Sequence, residues 1–384
     1  MNKVAVCGAY QTQFGELWDQ SLTDLMHEAA IGCLADAGAT TASVEAVYIG
    51  NMLGGNGFGQ KHLGAQLAQE LGISAPVTRV EGACASGGMA VFQAVQAIAS
   101  GAIANALVIG VEKMTDADSE QISQAIMAAA DQDEYLAGLN FPGLYALIAQ
   151  AYIAKFGASE ADLAQVAVKN HYHGYLNQKA HFQNQISLEQ VIKSSKVADP
   201  LKVLDCSPIS DGAAAVFLAA PSWAKKKQLK NGVYINGSAQ AQDSLSLASR
   251  QSLTSLSASK QAAKTAYAQA GITAADINCV EVHDCFTIAE IVAMEDLGLY
   301  RQGEAYGHIT KQETWLGGKQ PINTSGGLKA CGHPLGATGV KQIVEATTQL
   351  RQVAGQRQVD EALVAVTHNV GGTGGTAVVH VLIR

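Results

Sequence analysis

The fold of this chain is decided by the stretch Val77-Thr78-Arg79-Val80-Glu81-Gly82-Ala83-Cys84-Ala85-Ser86-Gly87-Gly88, where a strand-like run turns into a helix-like one. Residues 87–99 are small and apolar on nearly every side, and Ser100-Gly101 follows as a helix stop. A strand, a glycine turn and a buried helix in this order are typical of α/β proteins. The turn places the thiol of Cys84 at the start of the helix.

The position of Cys84 predicts a nucleophile. Free backbone N–H groups and the positive end of the helix dipole favour an anion there, so we expect a thiol pKa below that of a free cysteine. The alternative is that Cys84 only fills a tight crossing between helix and strand, which is the commoner role of an isolated buried cysteine. The motifs in the rest of the chain favour the nucleophile.

The composition indicates a large core and excludes several classes of protein. The chain has 384 residues, of which 48% are hydrophobic and only 15% charged, which suits two domains of ordinary size. A formal charge of −8 argues against a nucleic-acid binder. The densest basic segment, Lys225-Lys226-Lys227, is expected to be a solvated loop, with an anionic group of a substrate as the alternative partner.

The cysteines and the apolar runs indicate where the protein works. Seven cysteines are present without a CxxC pair or a histidine spacing suited to zinc, so we expect reduced thiols and no metal site. No apolar run of bilayer length and no signal peptide is visible. We therefore expect a soluble, cytoplasmic protein without membrane contact.

The two halves of the chain repeat one order of strand-like and helix-like runs. The first copy comprises 4–9, 25–37, 44–50, the Cys84 loop with its helix, and 106–112; the second comprises 233–238, 259–271, 278–283, the 332–334 loop with the helix 339–350, and 362–367. Two copies of a βαβ-type unit related by a pseudo-twofold axis would bring equivalent loops together. This arrangement predicts that Cys84 and His333 meet.

Between the copies lies a segment with a weaker pattern, predicted to be a mostly helical insertion that covers the site. We therefore divide the chain into a first half (1–114 plus 205–225), a helical loop domain (115–204) and a second half (226–384). Within the insertion we expect helices over 119–130 and 144–156, with a loop at 140–143. Its polar histidines are expected on the exposed surface rather than at a metal: His171, His173 and His181.

Four glycine-rich loops concentrate the reactive side chains. They are Gly82-Ala83-Cys84-Ala85-Ser86-Gly87-Gly88, Glu281-Val282-His283-Asp284-Cys285-Phe286, Gly332-His333-Pro334-Leu335-Gly336-Ala337-Thr338-Gly339 and His368-Asn369-Val370-Gly371-Gly372. Each alone is weak evidence, because glycine loops often make only turns. Together they supply two thiols, imidazoles and free backbone amides, which is the equipment for acyl transfer through a thioester.

These four motifs, in this order, resemble the thiolase superfamily across essentially the whole chain, and most of all its sterol-carrier-protein-type branch with bacterial and archaeal acetyl-CoA acetyltransferase relatives. The resemblance implies an α/β thiolase fold, in which two similar halves pack as a five-layer αβαβα sandwich. It also implies that coenzyme A is a substrate and product and that no cofactor is tightly bound.

The resemblance implies a role for each motif residue. His333 would take the proton of Cys84, which then becomes acylated, and Cys285 would be the second catalytic thiol, because His368-Asn369 stands where most thiolases carry that cysteine. His283 would help to stabilise a thioester enolate. Supporting and lining roles fall to backbone and side-chain groups of Gly371, His368 and Asn369 at an oxyanion site, and of Phe141 and Tyr145 in the substrate channel.

The sequence therefore predicts an acyl-CoA thiolase that cleaves 3-ketoacyl-CoA with CoA, or condenses acyl-CoAs, through an acyl group on Cys84. The alternative is an acyltransferase or condensing subunit that is active only within a complex, with an OB-fold protein as one partner. A catalytically silent scaffold and a cysteine hydrolase are the remaining hypotheses. A homodimer is expected from the resemblance. Cys331, close to His333, is expected to be a core filler, with an effect on reactivity as the alternative.

Overall fold

The computed structural model describes residues 2–55, 59–226 and 232–384, and Lys227 of the predicted basic segment lies outside these ranges. The strands are β1 Val4–Gln11, β2 Val47–Gly50, β3 Val77–Val80, β4 Asn105–Glu112, β5 Lys196–Ala198, β6 Leu201–Lys202, β7 Gly212–Ala219, β8 Val233–Gln242, β9 Cys279–Glu281, β10 Val364–Gly371 and β11 Thr376–Ile383. The helices are α1 Leu22–Asp36, α2 Leu63–Leu71, α3 Ser86–Ala99, α4 Ser119–Met127, α5 Gln132–Leu136, α6 Phe141–Phe156, α7 Glu160–Tyr175, α8 Leu188–Lys193, α9 Pro221–Lys226, α10 Ser257–Ala270, α11 Thr287–Asp296, α12 Ala305–Thr310, α13 Gly327–Cys331 and α14 Leu335–Leu350.

The strand order confirms the predicted repeat. In the described chain, nine strands are hydrogen-bonded in the order β3-β2-β4-β7-β1-β8-β11-β10-β9. The first five belong to the first half and the last four to the second, and β1 joins β8 as an antiparallel pair through Val4–Val6. A parallel bridge from Val280 in β9 to Ile322 stands where the first half has β3. The same order therefore runs outward from the β1–β8 junction on both sides.

Alternating side chains of the strands separate three apolar cores, and these cores define the layers. Val4 and Val6 of β1 pack with α3 and α14, while Ala5 and Cys7 pack with α1. The outer core of the second half gathers side chains of α10 and α11. Helices α3 and α14 contact strands of both halves and each other. The result is the expected αβαβα sandwich, with α3 and α14 as its central layer.

Glycines in the first turns of α3 and α14 allow the two helix backbones to approach each other closely. A Cβ on Gly339 would lie 2.1 Å from the amide nitrogen of Gly88, and one on Gly87 would lie 2.5 Å from the carbonyl oxygen of Gly336. Such distances are too short for any other residue. The close approach brings together the loops that precede the two helices, and these loops carry Cys84 and His333.

The insertion between β4 and β7 is mostly helical, as predicted, but two of its details were wrong. Helix α6 begins at Phe141, where a loop was expected, because the side chain of Asn140 accepts a hydrogen bond from the Gly143 N–H and caps the helix. His171 and His173 are buried rather than exposed, 2% and 0%. Their ring nitrogens hydrogen-bond the backbone oxygens of Asn184 and Asn323, so these histidines hold neighbouring loops in place.

The last strand, β11, was not predicted from the sequence. It lies between β8 and β10, pairs with both along its whole length, and so links them into one sheet.

Helices that are both long and apolar enough to cross a membrane do not occur among the described residues.

Candidate active site

The turn before α3 holds Cys84 in a strained backbone. Ala83 has a φ of 53°, a left-handed conformation that is unusual for a residue with a side chain. The hydroxyl of Ser86 accepts from the Gly82 N–H (3.0 Å) and donates to the Ala83 carbonyl (2.6 Å), and the Glu81 carboxylate accepts from the Ala83 N–H (2.7 Å). These three bonds stabilise the turn and fix the Cys84 sulfur at the head of the helix.

Burial dominates the electrostatics of Cys84. The residue is 7% exposed, and desolvation raises the pKa of its thiol to about 12. Hydrogen bonds from the N–H groups of Gly372 and of Cys84 itself lower that pKa, while the nearby Glu112 carboxylate raises it. The expectation of a lowered pKa was therefore wrong, because loss of water outweighs the helix N-terminus. Burial therefore favours the neutral thiol.

His333 has one ring nitrogen engaged and one free. The Thr338 hydroxyl donates to the Pro334 carbonyl (3.1 Å), so it accepts from Nδ1–H of His333 at 2.7 Å. Nε2 then carries a free lone pair and no proton, and it has no hydrogen-bond partner within the described residues. Burial, and next Lys341, lower the pKa of His333 to about 3, so the imidazole is neutral. His333 is thus prepared to accept a proton.

His283 is held in the opposite tautomer by Asn369. The Asn369 oxygen accepts from the Gly88 N–H (3.1 Å), and its amide nitrogen donates to the Cys84 carbonyl (3.1 Å), which fixes the orientation of the amide. The same nitrogen donates to Nδ1 of His283 (3.1 Å), so the proton of His283 resides on Nε2. Burial lowers the pKa of His283 well below its usual value, with His333 and His368 as smaller causes.

Cys84, His283 and His333 form one compact cluster. The Cys84 sulfur and a ring nitrogen of each histidine all lie within 4.8 Å of one another, and the two ring centroids are 5.0 Å apart. The spacing alone would suit a metal ion. A metal ligand needs a free lone pair, however, and Nε2 of His283 carries a proton. The arrangement suits a base, a hydrogen-bond donor and a thiol better than a metal site.

A cavity of about 180 Å³ connects the cluster to the insertion. It is lined by Cys84, Met114, Ser119, Ile122, Ser123, Ile126, Phe141, Pro142, Tyr145, Ser207, Pro208, Ile209, Cys285, Phe286, His333, Leu335 and Gly372. The structure therefore brings the two thiols, the base and both predicted lining aromatics to one mostly apolar space. Burial raises the pKa of Cys285 well above that of a free cysteine.

Of the predicted supporting residues, His368 lies away from the cluster and Gly371 lies against the turn that carries Cys84. His368 points to the opposite face of β10, where its Nε2 lies 2.8 Å from the Ser259 hydroxyl of α10. Gly371 packs against the Gly82 carbonyl, and a Cβ there would lie 2.5 Å from that oxygen, whereas the N–H that reaches Cys84 belongs to Gly372. Cys331 is fully buried beside the amides of Gln11 (3.6 Å) and Asn177 (3.7 Å), a position that fits the expected core filler.

Sequence reasoning missed Glu112, a buried carboxylate at the end of β4. It accepts from the N–H groups of Met52 (2.9 Å), Leu53 (3.1 Å) and Gly336 (2.9 Å), and so joins a loop of the first half to the start of α14 next to His333. Burial raises its pKa to about 7. An acidic residue that ends an otherwise apolar strand, Val-Ile-Gly-Val-Glu, was the available signal.

Comparisons with known proteins place the chain in a family. Residues 4–222 match the family model of the thiolase N-terminal domain, and residues 239–384 match that of the thiolase C-terminal domain-like family. An acetyl-CoA acetyltransferase of Methanothermobacter thermautotrophicus is 46% identical over 100% of both chains. Sterol carrier protein 2 of Bos taurus is 34% identical over 98% of this chain and 72% of its own.

Solved structures show the same fold. The Ltp2-ChsH2(DUF35) aldolase superposes with a TM-score of 0.85 and 25% identity, over 100% of this chain and 98% of the other. Human mitochondrial 3-ketoacyl-CoA thiolase in complex with CoA superposes with a TM-score of 0.76 and 20% identity, over 100% of this chain and 98% of the other. With both domain models and full-length relatives matched, the chain belongs to the thiolase family.

Proposed function

We propose that this chain is an acyl-CoA thiolase in which Cys84 is the nucleophile and His333 its base. The observation that carries the proposal is the cluster of the Cys84 sulfur with one nitrogen each of His283 and His333 within 4.8 Å, of which Cys84 and His333 line one cavity together with Cys285. Relatives named acetyl-CoA acetyltransferase support the reaction class. Coenzyme A is then substrate and product, and no other group is needed for the steps below.

The first step acylates Cys84. Because burial keeps thiol and imidazole neutral, the proton passes from Cys84 to Nε2 of His333 as the sulfur attacks the thioester carbonyl, rather than beforehand. This attack places negative charge on the carbonyl oxygen of the thioester. The N–H groups of Cys84 and Gly372, which contact the sulfur, stabilise that oxyanion. His333 then gives the proton to the departing CoA sulfur.

The second step forms or breaks the carbon–carbon bond. In condensation, the Cys285 thiol first loses its proton to solvent, and the thiolate then removes the α-proton of a second acyl-CoA. The resulting enolate attacks the acyl carbon on Cys84, and the carbon–sulfur bond breaks to release the Cys84 thiolate, which takes up a proton from solvent. Nε2–H of His283, free of protein partners, donates to the enolate oxygen. In cleavage, Cys285 returns a proton to the departing enolate. A cavity of about 180 Å³ suits a compact acyl group, since an engineered apolar cavity of about 150 Å³ holds benzene.

The direct test mixes the purified chain with acetoacetyl-CoA and CoA and follows the loss of enolate absorbance. We expect turnover in the wild type and a large loss in Cys285→Ala, which should still accept an acyl group on Cys84. Cys331→Ala is the matched control, because that thiol is buried away from the cavity. Absence of turnover, or full turnover in Cys285→Ala, would contradict the proposal.

A second candidate is a subunit that works only with a partner protein, including the OB-fold partner expected from the sequence. The Ltp2-ChsH2(DUF35) aldolase supports it, because that neighbour is named as two components. The assay separates the candidates: turnover that appears only with a co-purifying protein favours the complex.

A homodimer is also proposed. In its support, β3 forms an edge of the sheet, with no strand paired on its outer side among the described residues.

The three-part division of the chain is kept as a proposal. Helices α4 to α8 all fall between β4 and β7, which supports an insertion over 115–204 between the two parts of the first half.

A further inference from the structure

Tyr145 lines the same cavity as Cys84 and Cys285 and is packed tightly. It belongs to α6 of the insertion, is 2% exposed, and lines the cavity together with Cys84 and Cys285. Its ring stacks on Phe286, with centroids 4.6 Å apart and planes at 28°. The stacking holds the ring and its oxygen in place, whereas the O–H bond can still rotate.

That hydroxyl has two partners. It donates to the carbonyl oxygen of Gly372 at 3.1 Å, and it also hydrogen-bonds the Cys285 sulfur. A phenol has one proton to give and lone pairs to accept with. While it donates to Gly372, it accepts from the neutral Cys285 thiol.

The contact with Gly372 reaches the other sulfur as well. Gly372 has a φ of +61°, and its N–H hydrogen-bonds Cys84. Glycine is conformationally free in this region, so something else must fix its orientation. The peptide that carries this N–H is held by the Gly371 carbonyl, which accepts from the Gly374 N–H (3.1 Å). The Tyr145 hydroxyl holds the next peptide through the Gly372 carbonyl.

We propose that Tyr145 is a positioning residue that holds the Gly372 carbonyl in the turn beside Cys84 and, when Cys285 ionises, turns its own O–H from Gly372 to the Cys285 thiolate. The inference rests on the proposed thiolase function and adds a residue to it. Charged or titratable groups near Cys285 include Asp284, Cys84 and Tyr145, with His333 on the same cavity, and Tyr145 in turn faces Arg250. Asp284 and Cys84 oppose ionisation of Cys285, and of these neighbours Tyr145 favours it.

The first test measures ionisation of Cys285 without any turnover. In a Cys84→Ala background, the rate of iodoacetamide alkylation at Cys285, read by peptide mass spectrometry, is followed against pH. Adding Tyr145→Phe should move the alkylation midpoint up by about one pH unit, the equivalent of one ordinary hydrogen bond. Adding Tyr152→Phe should leave it unchanged. Tyr152 is the matched control, because it is a buried tyrosine of the same helix whose hydroxyl binds Glu295 instead.

The second test measures turnover. Tyr145→Phe should lower kcat with acetoacetyl-CoA about tenfold and leave KM within about twofold, as expected for a hydrogen bond that matters in the transition state. An unshifted alkylation midpoint, or a change confined to KM, would overturn the proposal and leave Tyr145 as a lining residue. If Tyr145→Phe does not fold, Phe286→Leu keeps the hydroxyl and frees the ring, and should shift the midpoint in the same direction. An inactive wild type would refute the thiolase function, whereas the alkylation test would still decide the role of Tyr145.

Discussion

The loops that carry His333 and His283 place two imidazoles 5.0 Å apart in the same buried site and prepare them for opposite tasks. The Thr338 hydroxyl accepts a hydrogen bond from the far nitrogen of His333, so that the near nitrogen is a base. Asn369 donates to the far nitrogen of His283, so that the near nitrogen is a donor. In this site, therefore, the hydrogen-bond partner of the far nitrogen determines whether a histidine acts as a base or as a donor.

Removing each imidazole gives the largest expected effect. His333→Ala should slow the acylation of Cys84 about a thousandfold, because a general base is lost. His283→Ala should leave acylation nearly intact and slow carbon–carbon bond formation about a hundredfold, because only the enolate loses its donor. Burst-phase release of CoA measures the first step and steady-state condensation the second. Equal effects of both variants on acylation would contradict the division of tasks.

Reversing the partner of His283 is the next largest effect. In Asn369→Asp, a carboxylate oxygen faces Nδ1, which forces the proton of His283 onto Nδ1 and leaves Nε2 without one. We expect condensation to fall about a hundredfold. The control is the double variant with His283→Ala, where the second change should add little because both remove the same donor. Fully additive losses would show that Asn369 acts through something other than His283.

Loss of the Thr338 hydroxyl should have a moderate effect. Thr338→Val keeps the shape but leaves Nδ1–H of His333 unpaired in a buried site, which costs about 1–3 kcal/mol and frees the ring to change tautomer. Acylation of Cys84 should slow about tenfold. Thr338→Ser, which keeps the hydroxyl, should retain most of the rate. Similar rates in the valine and serine variants would remove the tautomer argument.

The smallest effect concerns stability against pH. Burial lowers the pKa of His333 from 6.5 to about 3, so the unfolded chain binds a proton between these values and the folded chain does not. This group therefore contributes stability above pH 6.5 that is lost as the pH falls towards 3, at up to about 1.4 kcal/mol per pH unit. His333→Asn should flatten the decline of the free energy of unfolding between pH 6.5 and 4. Equal slopes in urea titrations would show that His333 is not desolvated.

Much of the fold could be predicted from the sequence because glycine motifs mark where strands meet helices. The turn at Cys84 and the loop at His333 both stand before buried helices, and the repeat places them together. Strand β11 was missed, since its apolar run follows the glycine motif that ends β10 and has no helix between. The start of α6 was missed because Pro142 and Gly143 suggest a loop unless Asn140 is recognised as a cap.

The electrostatics of the site could be predicted less well. The sequence shows that Cys84 precedes a helix, but not that burial raises its pKa to about 12. The histidine tautomers depend on Thr338 and Asn369, whose bonds form only after residues distant in sequence have packed together. The polar run with His171 and His173 gave no sign of burial, because its partners lie in other loops.

The proposed mechanism requires that Cys84 carries the acyl group, and this can be tested by mapping the modified residue. The wild type, Cys84→Ala and Cys285→Ala are treated with acetyl-CoA, digested, and examined by mass spectrometry. We predict an acetyl group on the Cys84 peptide in the wild type and in Cys285→Ala, and none in Cys84→Ala. Acetylation of Cys285 or Cys331 with an unmodified Cys84 would contradict the account.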